Sequence, residues 1–259
     1  MAIALYDNFV IENKITDIVN SKLDVHPLMT IDNTLATDAG LKKYIHKYTY
    51  SGNVEKLAKG AKNTQKGSVA FEKEEYTVNR YQQTYVYNDM DVMADATIVD
   101  VLSQGAADTM ANEIRDEYFA EVAKISNTTT LESALSYDGI VDALQTIGVE
   151  NEEGLFLLMG ADGKAAIRKD KDFIASKQGE ILYTGQFGSV AGVPCVFSKK
   201  VPAKTAYITH PEAVKFFVKN AGTVEQDRDI ETKDNTVVYE RHGVMALVDD
   251  TRSAKITFA

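Results

Sequence analysis

The sequence predicts an α+β protein whose two halves differ in character. Three observations carry that reading. An apolar stripe recurs at steps of three and four from Val99 to Ile125, the spacing of one long helix. Tyr-, Thr- and Val-rich stretches at 41–50 and 74–88 alternate as strands do. Beyond residue 130, short continuous apolar runs such as LFLLM (155–159) interleave with helical segments, as buried strands and their covering helices would.

Taken in order, residues 6–22 set Phe9, Ile11, Ile15, Ile18 and Val19 near helical spacing, so a short amphipathic helix opens the chain. From Leu23 to Gly40 the pattern dissolves into irregular, partly apolar sequence that fits a segment laid along a neighbouring surface. In a monomer it is a packed extension; in an oligomer it is an exchanged arm. The strands at 41–50 and 74–88 flank a polar connection containing Gly52, Gly60 and Gly67 and the lysines Lys56, Lys59, Lys62 and Lys66. Only Val54, Leu57, Val69 and Phe71 there offer much to bury, so the segment reads as an extended hairpin. The four lysines read first as a solvated loop.

The long helix starts at Thr97, an expected N-cap with Asp100 as its capping-box acid, and Val99, Leu102, Ala106, Met110, Ile114, Tyr118, Val122 and Ile125 form its stripe. Gly105, costing ~1 kcal/mol against alanine, implies a close packing neighbour. After the polar break SNTTT come a helix at 137–147 ended by Gly148, the strand at 155–159, and a charged helix from Ala161 to Ser176. A glycine-punctuated loop (Gly179, Gly185, Gly188, Gly192) precedes the strand VPCVFS, and further strands are expected at 204–209, 214–218, 236–248 and 254–258.

Composition bounds the function. With 259 residues, 44% apolar and 25% charged, the chain is globular, and a single cysteine excludes an internal disulfide and fits a reducing cytosol. No run approaches a membrane span, and the first residues lack the basic region of a signal peptide. A net charge of −10 is the wrong sign for a DNA reader or for attachment to anionic lipid, and serves solubility. His26, His46, His210 and His242 stand outside metal-ligand spacing. GADGKAA (160–166) has Leu158 where a phosphate loop needs glycine and Ala165 where it needs a hydroxyl. Gly185, Gly188 and Gly192 precede a strand instead of joining strand to helix, so they make no dinucleotide fingerprint. The acidic run DRDIE (227–231) lacks the glycine of a calcium loop. Cys195 sits in an apolar run that keeps a thiol protonated and inert. No catalytic residue, cofactor or metal site emerges.

The order of the segments is more specific than any one of them. KYTYSGNVEKLAKGAK leads to EYTVNRYQQTYVYNDM, then to the helix DATIVDVLSQGAADTMANEIRDEYFAEVAK, and much later to GEILYTGQFGSVAGVPCVFSKKVP, AYITHPEAVKFFVK and DRDIETKDNTVVYERHGVMALVDDTRSAKITF. This order resembles the major capsid proteins of tailed bacteriophages, with the Hong Kong phage-type capsid fold. The local match is best from Gly179 to Pro202, where Gly192-Val193-Pro194 and Ser198…Val201-Pro202 fit the family's strand and turn.

The resemblance implies an N-terminal arm over 1–40, an extended loop lying over a neighbour at 41–88, a peripheral domain from 89–130 and 211–245 carrying the long spine helix, and an axial domain from 131–210 and 246–259. It implies an icosahedral virion shell of pentamers and hexamers around double-stranded DNA held non-specifically, assembled in the bacterial cytoplasm without any membrane. Portal, scaffolding and decoration proteins would be its partners. Because Met1 leads at once into the arm, the scaffold is expected to be a separate protein or absent. Lys56, Lys59, Lys62, Lys66, Arg80, Phe9 and Ile11 become the candidate inter-subunit contacts. The alternatives are an encapsulin-type nanocompartment shell, which shares the fold, and a cytosolic α/β enzyme with a pocket near Gly185–Gly192.

Two physical expectations follow. Arm and loop are each short of apolar residues, so the isolated chain should expose clearly more than the ~11,000 Å² of a compact body this size. Some relatives join a loop lysine to an asparagine of a neighbour with a buried glutamate as base. Here the lysines lie in a polar, glycine-broken loop, the conceivable acceptors are Asn220 and Asn235, and no glutamate of 211–245 lies in an apolar run, so no such bond is expected.

Overall fold

In the computed structural model, which describes residues 8–22, 25–37, 39–148, 152–171 and 188–259, the first stripe folds as α1 (Asn8–Lys22) with Ile11, Ile15 and Val19 buried. The irregular segment after it stays with its own chain. Val25, Leu28, Met29 and Leu35 are buried around the short strand β1 (Thr30–Asp32). In the single chain, residues 25–37 pack on their own subunit, which corrects for them the expectation that the arm has little to bury.

The hairpin strands are β2 (Lys42–Ser51) and β3 (Ser68–Thr77), paired antiparallel from Lys42↔Thr77 to Ser51↔Ser68. The single strand expected at 74–88 is therefore two. β4 (Asn79–Asn88) belongs to a different sheet, and the break falls at Val78. The cause is a change of phase: Tyr76 points inward before Val78, whereas Tyr81, Tyr85 and Tyr87 do so after it. A period-2 element cannot serve both parities without a break.

A short helix α2 (Asp89–Ala94) carries the capping box, with Asn88 and Asp91 reciprocally bonded. The long helix α3 (Ile98–Val122) has Thr97 at its N-cap, but without a side-chain cap bond. The Thr97 hydroxyl donates instead to Asp95 Oδ1 at 2.7 Å. The stripe is buried as expected, apart from half-buried Leu102, and Ser103, Ala107, Ala111 and Phe119 widen it. Gly105 has open space around it and no packing neighbour, so the glycine is a cost the helix carries on its exposed side.

In the second half, the polar break supplies β5 (Thr128–Thr130). Next comes α4 (Tyr137–Ile147), capped by the Ser136 hydroxyl and ended by Gly148 at φ +65°. β6 (Phe156–Met159) and α5 (Ala161–Lys169) follow; residues 172–176 of the expected helix, like Gly179 and Gly185, lie outside the described residues. The remaining strands are β7 (Ser189–Val190), β8 (Val193–Phe197), β9 (Thr205–Thr209), β10 (Val214–Arg228), β11 (Asp234–Leu247) and β12 (Ala254–Thr257). β10 runs ten residues past its expected end to form a long hairpin with β11, and DRDIE closes it. There Asp229 Oδ1 accepts from the Glu231 N–H at 2.7 Å, so the acidic run is a turn.

Two sheets organise the body. One runs β1-β10-β11-β4, with α1 and α3 packed on one face. The other is mixed and runs β5-β12-β9-β6-β8-β7. LFLLM is apolar throughout because its sheet separates two cores: Phe156 and Leu158 join the core of α3, while Leu155, Leu157 and Met159 join that of α4 and α5. A third cluster of Leu35, Ile45, Tyr76, Phe217 and Val244 anchors the base of the β2–β3 ribbon. Beyond that base β3 is exposed at every residue but Tyr76, and the chain as a whole exposes 15,053 Å², well above the compact expectation.

Candidate functional site

The ribbon displays side chains that an isolated chain has no reason to keep. Along β2, alternation sends Tyr44, His46, Tyr48 and Tyr50 to one face, and across the ladder Tyr48 meets Phe71 and Tyr50 meets Val69. Tyr48 is 70% exposed and Phe71 66%. Polar groups hold the strands in register near the base: Lys42 Nζ bonds Glu75 at 2.5 Å, and the Lys73 ammonium lies 3.6 Å from the Tyr44 ring centre. The outer ribbon is thus an apolar face left exposed by the described residues of its own chain.

At the end of the ribbon, Lys56, Lys59, Lys62 and Lys66 are all exposed, as the sequence implies. The loop is tied across by Glu55, which accepts from the Thr64 N–H at 2.9 Å. Arg80 is engaged within its own chain, its Nη2 lying 2.6 Å from Glu240 Oε2. Ile11, at 4% exposure, is turned into its own core between α1 and α3, which withdraws it as a contact for a neighbour. Phe9 falls on α1, with its side chain outside the described residues.

At the foot of the ribbon lies a feature that the sequence reading passed over. Glu117, half-buried on α3, accepts from the Tyr81 hydroxyl and from Asn79 Nδ2 at 3.1 Å. Burial pushes its carboxyl above the ordinary 4.5, the neighbouring charges of Glu113 and Glu121 add to this, and the two hydrogen bonds oppose it. Because the folded value is raised, the stabilising contribution is complete below about pH 4.5 and is lost as pH rises through the folded value. Glu117→Gln should therefore flatten the fall in melting temperature as pH rises above about 4.5, the Tyr81 hydroxyl turning to suit the amide. Thermal melts of the unassembled chain across that range test it, and an unchanged pH profile would sink the assignment. Nearby Arg241 is also buried, its guanidinium 5.3 Å from the Phe216 ring centre.

Among the described residues no three His, Cys, Asp or Glu side chains are grouped to hold a metal. Cys195 is half-buried, not buried as expected, because β8 lies near the rim of its sheet. Asn220 donates to Thr223 Oγ1 at 2.8 Å and buried Asn235 to Asp89 Oδ1 at 2.8 Å, so both conceivable acceptors are structural.

A two-sheet body with an exposed apolar ribbon reaching away from it has the form of a subunit that lies against a partner. Comparison with known proteins agrees. A family model described as phage capsid protein matches residues 72–256. The major capsid protein of Staphylococcus phage phiMR11 is 22% identical over 253 residues, covering 92% of this chain and 88% of that protein. Among solved structures, the capsid of the cyanophage P-SCSP1u superposes with a TM-score of 0.74 at 11% identity, over 90% of this chain and 86% of that one. The capsid of the native GTA particle gives 0.76 at 12% identity, over 92% and 90%. The chain belongs to the phage capsid protein family. Its role is that of a major capsid protein, a structural shell subunit and not an enzyme, and the α+β capsid fold expected from the sequence stands. The family match favours the phage shell over the encapsulin alternative.

Proposed function

We propose that the chain tiles the head of a tailed phage as pentamers and hexamers enclosing double-stranded DNA, with each β2–β3 ribbon laid over the adjacent subunit. The observation that carries this is the outer ribbon, whose exposed Tyr48, Tyr50, Val69 and Phe71 are left uncovered by the described residues of their own chain. In this reading residues 1–40 are the arm, 41–88 hold the extended loop, 89–130 with 211–245 form the peripheral domain, and 131–210 with 246–259 the axial domain. Because β4 is paired to β11, the projecting part ends at Thr77. The net charge of −10 suits an inner wall that touches DNA without gripping it. Portal, scaffolding and decoration proteins join as separate partners, and assembly takes place in the bacterial cytoplasm.

Sedimentation and electron microscopy of the purified chain test the proposal. Rings of five and six or closed shells are expected, and a chain that stays monomeric at all concentrations and salts would overturn it. Denaturing electrophoresis of the particles should give one band near 28.5 kDa. The bond would need a loop lysine desolvated beside a buried carboxylate, and the four loop lysines are exposed. A ladder of multimers would refute this.

A further inference from the structure

Among the described residues the chain passes between its two sheets at three places, and the three meet at one junction. α3 leads to β5 through 123–127, β9 to β10 through 210–213, and β11 to β12 through 248–253. The Ala213 carbonyl accepts from the Val248 N–H at 2.7 Å and the Asp249 N–H at 3.2 Å, which ties the second crossing to the third. Asn127 Nδ2 donates to the Ser253 carbonyl at 3.0 Å and the Ser126 hydroxyl to Asp250 Oδ2 at 2.6 Å, which ties the first to the third. Buried Thr209 and Ser253 share a hydroxyl bond at 3.1 Å. A change in the angle between the sheets turns on these bonds.

One titratable side chain is sealed inside the junction. His210 is more than nine-tenths buried, and among the described residues its Nδ1 has no hydrogen-bond partner. Its Nε2 lies 3.8 Å from Asp249 Oδ2, beyond hydrogen-bond reach. Asp249 is engaged elsewhere, its Oδ1 accepting from the Thr251 N–H at 2.9 Å and from the Thr251 hydroxyl at 2.7 Å. The charges facing the ring are Asp249 and Arg252 of the third crossing and Glu212 of its own. A neutral imidazole fits this site with its polar atoms unmet. An imidazolium adds a charge and a second N–H, and neither N–H has an acceptor in place. Burial accordingly holds the pKa of His210 below the ordinary 6.5; Asp249 opposes this, Arg252 adds to it and Glu212 opposes it.

We infer that His210 is a proton-operated latch on the junction between the two sheets, closed while the ring is neutral and opened when mild acid protonates it. Opening lets water reach the ring, which then binds a proton near pH 6.5, whereas the closed junction resists protonation. Acid therefore favours the open form, by up to about tenfold per pH unit below roughly 6.5, and the gain ends at the pKa of the closed form. Glu117 has the opposite sign, its stabilisation being lost as pH rises, so the two groups are separable. The latch is a property of the single chain and stands apart from the shell reading.

Amide exchange of the full-length chain, corrected for the intrinsic effect of pH on exchange, tests the latch. Ala213, Val248, Asp249 and Ser253 have N–H groups bonded within the junction. Their protection should fall several-fold between about pH 7 and 5.5, a range above the titration of ordinary carboxylates. The β10–β11 hairpin at 224–238 should keep its protection over the same range. His210→Gln, which carries no titrating group, should remove the pH dependence at the junction. Asp249→Asn acts at a half-buried position, and its amide oxygen still accepts from Thr251. It takes away a charge that favours the imidazolium, lowers the pKa of the closed form further, and should therefore enlarge the loosening and extend it to lower pH. If His210→Gln does not fold, the wild-type and Asp249→Asn profiles still decide. Junction protection that is flat between about pH 7 and 5.5, or that falls equally in His210→Gln, overturns the latch. An Asp249→Asn chain that loosens less than wild type overturns it as well.

Discussion

Ile114→Asp is expected to abolish folding of the body. Ile114 lies near the middle of α3 with none of its surface exposed, inside the core shared with α1 and the β10–β11 sheet. An aspartate there exchanges buried methyl groups for a carboxylate with no donor prepared for it. Lost burial and an unpaired polar group together cost on the order of 4 kcal/mol or more. That is a large share of the roughly 5–15 kcal/mol that holds a domain together. Ile114→Val should cost only about 1 kcal/mol. Val101→Asp, on the exposed side of the same helix, should be close to neutral. Circular dichroism and thermal melts of the three variants decide it. Soluble, normally melting Ile114→Asp protein would mean that the stripe does not face a core.

Much of the architecture was legible because burial writes a period into the chain. The α3 stripe, the α4 segment with Gly148 after it, and the all-apolar β6 each follow from the packing they enter. The features that escaped are those where period is silent or ambiguous. The break at Val78 is a change of parity between Tyr76 and Tyr81, visible only once the two strands are known to face different cores. Irregular sequence from Val25 to Leu35 buries its apolar residues one at a time, on a surface that local pattern does not show. The cap at Thr97 failed because Asp95, two residues before it, takes its hydroxyl and its N–H, one local motif displacing another. At the site, the loop lysines were legible in the sequence but the Glu117 cluster was not. Glu117 looks like any helix glutamate until Tyr81 and Asn79 are brought to it from another strand. Charged Arg241 likewise lies at an inward position of β11 that alternation alone would assign to an apolar side chain.

Removing the aromatic face of the ribbon is expected to separate folding from assembly. Tyr48 and Phe71 face each other across the β2–β3 ladder and are mostly exposed, so Tyr48→Ser with Phe71→Ser deletes little that the monomer uses. The cross-strand pair itself is worth up to about 1 kcal/mol, and the anchoring cluster of Ile45 and Tyr76 at the base is untouched. With the ribbon laid over a neighbour, as proposed, the same two side chains would be covered. Burying about 100 Å² on each, at ~25 cal/mol per Å², contributes on the order of 5 kcal/mol to every contact. Losing it should weaken association by roughly a thousandfold. The double variant should therefore melt like wild type and sediment as a monomer at concentrations where wild type forms rings or shells. It should also be the more soluble chain, since a two-stranded apolar face left uncovered is an aggregation hazard. If the variant assembles at the wild-type concentration, the ribbon is not the principal contact, and the neighbour must be held through the body instead.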